Sequence, residues 1–142
     1  MTMWVEPINL DVLNQRGKDT LAEFLHIEFI RVEDNALVAR MPVNNKTTQP
    51  FGLLHGGASV ALAETIGSVA SWCVVNKELF IGVGVEINAS HIKSVTEGSV
   101  TAICSPIKIS GKTHVWDIKI HDEKERLICV SRLTVAILRK KG

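Results

Sequence analysis

The sequence predicts an α+β fold in which an antiparallel sheet of about six strands curls around one long buried helix. Three observations carry this. One long helical segment, Gly56 to Lys77, has apolar residues on almost every face, so it must be covered on most sides. Everything after it reads as strands. Short turns join those strands, which forces antiparallel pairing.

Each element has a local reason. Leu10 to Arg16 is a short helix with Asn9 as N-cap and Gly17 as its stop. Thr20 and Glu23 have capping-box spacing and start a second short turn through Leu21, Phe24 and Leu25. Strands follow at Glu28 to Val32 and Ala36 to Val43, turning at Asp34-Asn35. The loop Gln49-Pro50-Phe51-Gly52 leads into the long helix, which at 1.5 Å per residue is ~30 Å long. Ile81 to Ile92 and Ser99 to Ile109 are strands, with Glu97-Gly98 as the turn between them. In His114 to His121, His114, Trp116, Ile118 and Ile120 share one face, and Val115, Asp117, Lys119 and His121 the other. Leu127 to Leu138 closes the set after the Asp122–Glu125 turn, and Arg139-Lys140-Lys141 reads as a disordered tail.

Composition bounds the function. At 142 residues the chain is one domain, 1–142, that buries roughly 70% of its extended surface without help from disulfides or metals. Apolar residues make up 46% of it, which argues against disorder. Sixteen basic and 15 acidic residues leave a net charge of +1, without the basic surplus that nucleic-acid binding needs. Cys73, Cys104 and Cys129 are an odd number, and MTMWVEPINL has neither the basic nor the apolar part of a secretory leader, so a reduced cytoplasmic location is expected. The longest apolar stretch, Val60 to Val75, is interrupted by Glu64 and by hydroxyl residues and falls short of the ~20 residues of a membrane span.

Two features of the long helix could carry chemistry. Glu64 sits among Ala61, Leu62, Ala63 and Ile66, where a carboxylate is costly unless it is paired or functional. Desolvation would tune it toward a general base; equally, it could bond Ser68 one turn on or point out through a gap in the sheet. His55-Gly56-Gly57 opens the helix, where N–H groups have no internal partners and the dipole favours negative charge. Two glycines let a substrate oxygen approach those groups, the makeup of an oxyanion hole; alone, the triplet is also an ordinary Gly-rich loop. Glu64 lies eight residues beyond Gly56, ~12 Å along the axis, whereas a base must come within ~3 Å of what it acts on. If both act on one substrate, two chains related by a two-fold axis must supply them, and the enzyme is an obligate dimer with two interface sites.

The segments QPFGLLHGGASVALAETIGSVAS, Gln49 to Ser71, and GVEINASHIKS, Gly84 to Ser94, resemble the hotdog-fold acyl-CoA thioesterases. The closer similarity is to the bacterial branch that includes dihydroxynaphthoyl-CoA thioesterase of menaquinone synthesis and the proofreading thioesterase of enterobactin synthesis, and it runs from Leu10 through Leu138. The resemblance implies a sheet wrapped around the helix and hydrolysis of an acyl-CoA, here an aromatic one, to acid and coenzyme A. Glu64 would be the nucleophile or general base, with the thioester oxygen on the Gly56 N–H and His55 supporting that helix end. Gln49 would place the carbonyl or the water, and Ser68 would face the acyl group or the water. Gly84 and His91 to Ser94 would border the pantetheine and nucleotide arm, with Lys93 and Ser94 among them. Lys108 to Thr113, including Ser110, Gly111 and Lys112, matches a family segment that meets the coenzyme phosphates. Family members are dimers of dimers and use no metal or other cofactor. Two segments depart from that branch: the Val74 to Phe80 loop is about one residue longer, and Ile109-Ser110-Gly111-Lys112 carries a single basic residue at its tip. Both lie where substrate contacts are expected, so the acyl preference does not transfer with the chemistry.

Other residues have plainer readings. On residue type alone Lys93, Lys108 and Lys112 are solvated strand-end lysines, and His91 is as well explained as a strand histidine as a pocket one. His26, His114 and His121 lack the spacing of a zinc site, Trp116 reads as core, and the cysteines fall in apolar runs that raise a thiol pKa. Two other functions fit the same motifs. A hotdog hydratase or dehydratase acting on a 3-hydroxyacyl thioester would use His55, and a non-catalytic acyl-CoA binding module would use Glu64 structurally.

Overall fold

A computed structural model describes residues 1–141. Its elements are α1 (Leu10–Arg16), α2 (Leu21–Phe24), β1 (Glu28–Glu33), β2 (Ala36–Pro42), α3 (Gly56–Cys73), β3 (Phe80–His91), β4 (Ser99–Ile109), β5 (Thr113–His121) and β6 (Leu127–Arg139). The strands form one antiparallel sheet in the order β1-β2-β4-β5-β6-β3. The chain leaves β2, runs through α3 to the far edge as β3, then returns to lay β4 beside β2. Helix α3 therefore crosses the inner face of the sheet, with Leu62, Ile66 and Ala70 fully buried against it. Burying Leu62 and Ile66 contributes about 1.5–3 kcal/mol each.

The alternation read in β5 is the packing observed. His114, Trp116, Ile118 and Ile120 are all buried, and their neighbours face outward. The buried polar atoms on this face satisfy one another. Trp116 Nε1 donates to Ser71 Oγ at 2.7 Å, and Ser71 Oγ is hydrogen-bonded to His114 Nδ1 at 2.8 Å. Burial holds His114 below the ordinary imidazole value, with the Ser110 backbone hydrogen bond pulling the other way. The sign follows: above the unfolded value both states are neutral, and below it the unfolded chain takes up the proton first, so stability falls. The melting temperature should therefore drop as pH falls below the ordinary imidazole value of about 6.5, and less steeply in His114→Asn, whose side-chain amide takes the place of Nδ1 in the bond to Ser71. An equal slope in both proteins would remove His114 from the pH dependence.

Three sequence readings are corrected. The long helix stops at Cys73 rather than Lys77, because Val74 takes a non-helical φ and ψ and Asn76 opens a turn by accepting from Glu78 N–H at 3.0 Å. Thr20 caps α2 as read, but the bonds of the box differ: its hydroxyl accepts from Ala22 N–H rather than Glu23 N–H, and Glu23 accepts from Asp19 N–H rather than Thr20 N–H. Arg139 and Lys140 of the expected disordered tail are ordered, since Arg139 ends β6 and Lys140 N–H donates to the Leu79 carbonyl at 2.8 Å. Among the described residues no helix is long and apolar enough to cross a membrane.

Candidate functional site

The start of α3 is held in place by its own cap. His55 has extended backbone angles, and its Nδ1 accepts from Gly57 N–H at 2.8 Å. The His55 carbonyl accepts from Ala58 N–H at 2.9 Å and from Ser59 N–H at 3.2 Å. Gly56 N–H alone in this first turn has no protein acceptor among the described residues. It opens on a cleft of about 350 Å³ lined by Gln49, Ser59, His91, Lys93 and Ser94 among others. The His91 ring lies so close that a Cβ on Gly56 would come within 2.8 Å of its Nε2, so only glycine leaves both groups at the same spot. The Gln49 side-chain oxygen is taken by Phe51 N–H, which leaves its amide N–H groups to donate into the cleft. This end of the helix presents to the cleft N–H donors without protein partners among the described residues.

Glu64 belongs to a second cleft. It is half-buried rather than fully buried, and among the described residues its carboxylate makes no hydrogen bond or ion pair. The alternative in which Glu64 bonds Ser68 is not realised; both side chains line an open cleft of about 490 Å³ with Trp72, Ile81, Gly82 and Arg16. A Cβ on Gly84 would overlap the Glu64 carboxylate, so the strand passes directly beside it. Glu64, Ser68 and Trp72 stand at i, i+4 and i+8 on one helix face.

The site residues read from the sequence thus divide into two groups. Gln49, His55, Gly56, His91, Lys93 and Ser94 gather at the start of α3. Glu64, Ser68 and Gly84 gather further along it, on the side facing β3. The Ser110–Thr113 turn belongs to this second end: Lys112 carbonyl accepts from Ile137 N–H, and Ile137 pairs with Gly82. The turn is closed by Ser110 Oγ donating to the Thr113 carbonyl at 2.8 Å, which leaves Gly111 and Lys112 exposed at its tip and Lys108 exposed beside it. Sequence reasoning missed Ser59, Trp72 and Arg16. Ser59 and Trp72 could have been found by helical spacing from Gly56 and Ser68; Arg16 carried no local signal, because only the docking of α1 brings it there. The cysteines offer no nucleophile: burial pushes the Cys73 thiol up to about 11 and raises Cys104 and Cys129 as well.

Residues 51–129 match the family model of the thioesterase superfamily. Over 136 residues the chain is 50% identical to the 1,4-dihydroxy-2-naphthoyl-CoA hydrolase of Escherichia coli, covering 96% of this chain and 99% of that protein. It is 44% identical to the proofreading thioesterase EntH of Cronobacter turicensis, covering 96% of this chain and 98% of that one. The crystal structure of a mutant thioesterase from Pseudomonas aeruginosa superposes with a TM-score of 0.97 at 40% identity, over 98% of this chain and all of that one. The chain therefore belongs to the thioesterase superfamily and is a thioester hydrolase with the hotdog fold.

Proposed function

We propose that the chain hydrolyses an aromatic acyl-CoA, with each active site built from two protomers. The observation that carries this is the separation of the unpartnered Gly56 N–H and the unpaired Glu64 carboxylate into two clefts of one chain. Neither cleft is complete by itself. A two-fold axis that sets two α3 helices antiparallel brings the acid of one chain toward the donor of the other. Strand β3 supports such an axis. It runs for 12 residues at the sheet edge with Ile81, Val83 and Val85 at 42%, 42% and 59% exposure, and it carries no proline or lysine to block pairing with a second copy. Pairing of two such dimers into a tetramer belongs to the same reading.

In this site Gly56 N–H, aided by the Gln49 amide, takes the thioester oxygen as negative charge develops on it. The helix dipole adds to that stabilisation. Glu64 of the facing chain then attacks the carbonyl carbon, expelling coenzyme A as the thiolate and leaving a mixed anhydride for water to cleave. Alternatively the same carboxylate removes a proton from water, which attacks directly. His91, Lys93 and Ser94 border the arm of the coenzyme as it leaves the helix start, and Lys108, Ser110, Gly111 and Lys112 meet its phosphates in this reading. His55 acts through the helix cap, since its Nδ1 already accepts from Gly57.

The test is thiol release from a panel of acyl-CoA substrates with free-thiol detection. Aromatic acyl groups such as benzoyl should turn over faster than straight aliphatic ones. Loss of enoyl absorbance from crotonyl-CoA would mark a hydratase instead, and tight coenzyme binding without thiol release a binding module.

A further inference from the structure

We infer that Arg16 selects acyl groups bearing an anionic or hydrogen-bond-accepting substituent at the end remote from the thioester, an inference that rests on the acyl-CoA thioesterase reading above. The Glu64 cleft runs along one face of α3, past Ser68, to Trp72 and Arg16. Eight residues separate Glu64 from Trp72, ~12 Å along the helix, so a carbonyl held near Glu64 puts the far end of a short rigid acyl group near Trp72. There the Arg16 Cζ lies 3.7 Å from the centroid of the Trp72 ring. A guanidinium stacked on an aromatic ring keeps its in-plane N–H donors available. Lys77 also lies over this ring, 4.2 Å from the centroid, but its ammonium is paired with Glu6 at 3.0 Å. Arg16 has no acidic partner and donates no hydrogen bond among the described residues.

Arg16 is also held in position. Two residues before it, the Asn14 side chain accepts from Phe29 N–H at 2.8 Å and donates to the Phe29 carbonyl at 3.1 Å, pinning α1 to β1. Leu13 is buried in the core beside it. The cleft therefore has a carboxylate at one end and a fixed, unpaired guanidinium at the other. A plain apolar acyl group would cover that guanidinium without giving it a partner, whereas one with a carboxylate or hydroxyl at its far end would pair with it, and a site built to hydrogen-bond a group discriminates against the analogue lacking it. The substrate class is a compact aromatic acyl-CoA with a polar substituent opposite the thioester.

The experiment measures kcat/KM for 4-carboxybenzoyl-CoA and for benzoyl-CoA by thiol release, in wild type, Arg16→Met and Arg16→Lys. The ratio of the first substrate to the second should fall by about ten- to a hundredfold in Arg16→Met, and recover in part in Arg16→Lys, which keeps the charge but not the planar fork. Wild-type turnover of both substrates with the same ratio in Arg16→Met would overturn the inference and leave the proposed reaction standing. Absence of thiol release from both substrates in wild type would overturn the reaction, and the inference with it.

Discussion

Glu64→Ala lowers turnover of an aromatic acyl-CoA by about a thousandfold or more while leaving the fold intact. The size of the effect follows from the role: whether Glu64 attacks the carbonyl or activates water, no other carboxylate among the described residues lines its cleft. The preserved fold follows from its surroundings. Glu64 is half-buried and unpaired, so its removal strands no partner, and alanine is the best helix former. Steady-state kinetics beside a melting curve check both halves. Near-normal turnover would take Glu64 out of the mechanism, and a large loss of melting temperature would give it a structural role instead.

The second large effect is expected at the other end of the helix. Gly56→Pro removes one donor, the Gly56 N–H, and little else. Proline is favoured at the first position of a helix, and His55 already has the extended angles, φ −67 and ψ 131, that a residue before proline adopts. Losing a single oxyanion donor should cost about 10²- to 10³-fold in kcat. The new side chain also crowds His91, which is exposed and free to move aside. Gly56→Ala separates the two effects, since it adds the Cβ but keeps the N–H. Equal losses in both variants would assign the defect to crowding rather than to the donor.

The sequence made the layered architecture legible because its signals there are local. The all-round apolar character of α3 and the two-residue period of β5 both express burial, and both reappear as packing. The end of α3 was less legible: apolar Val74 and Val75 continue the helical pattern, and the stop depends on the backbone at Val74 and on the Asn76 turn. At the site, Gly56 stood out as a glycine at a helix start and Glu64 as an acid in an apolar run; the helix rise gave their separation, and their roles came only with the family resemblance. The approach of Gly84 to Glu64, the His91 ring against Gly56 and the arrival of Arg16 on Trp72 are tertiary events. Nothing in the neighbouring residues announces them, since each depends on which strand or helix is laid against α3.

The shared site is tested most directly by a heterodimer of one Glu64→Ala chain and one Gly56→Pro chain, purified through two different tags. One of its two sites would join the intact acid of the second chain to the intact donor of the first, and the other site would lack both. The account predicts recovery to about half the wild-type turnover per dimer, far above either variant alone. A heterodimer no more active than the two parent variants would mean that each chain supplies both groups to its own site, and the shared-site account would be wrong.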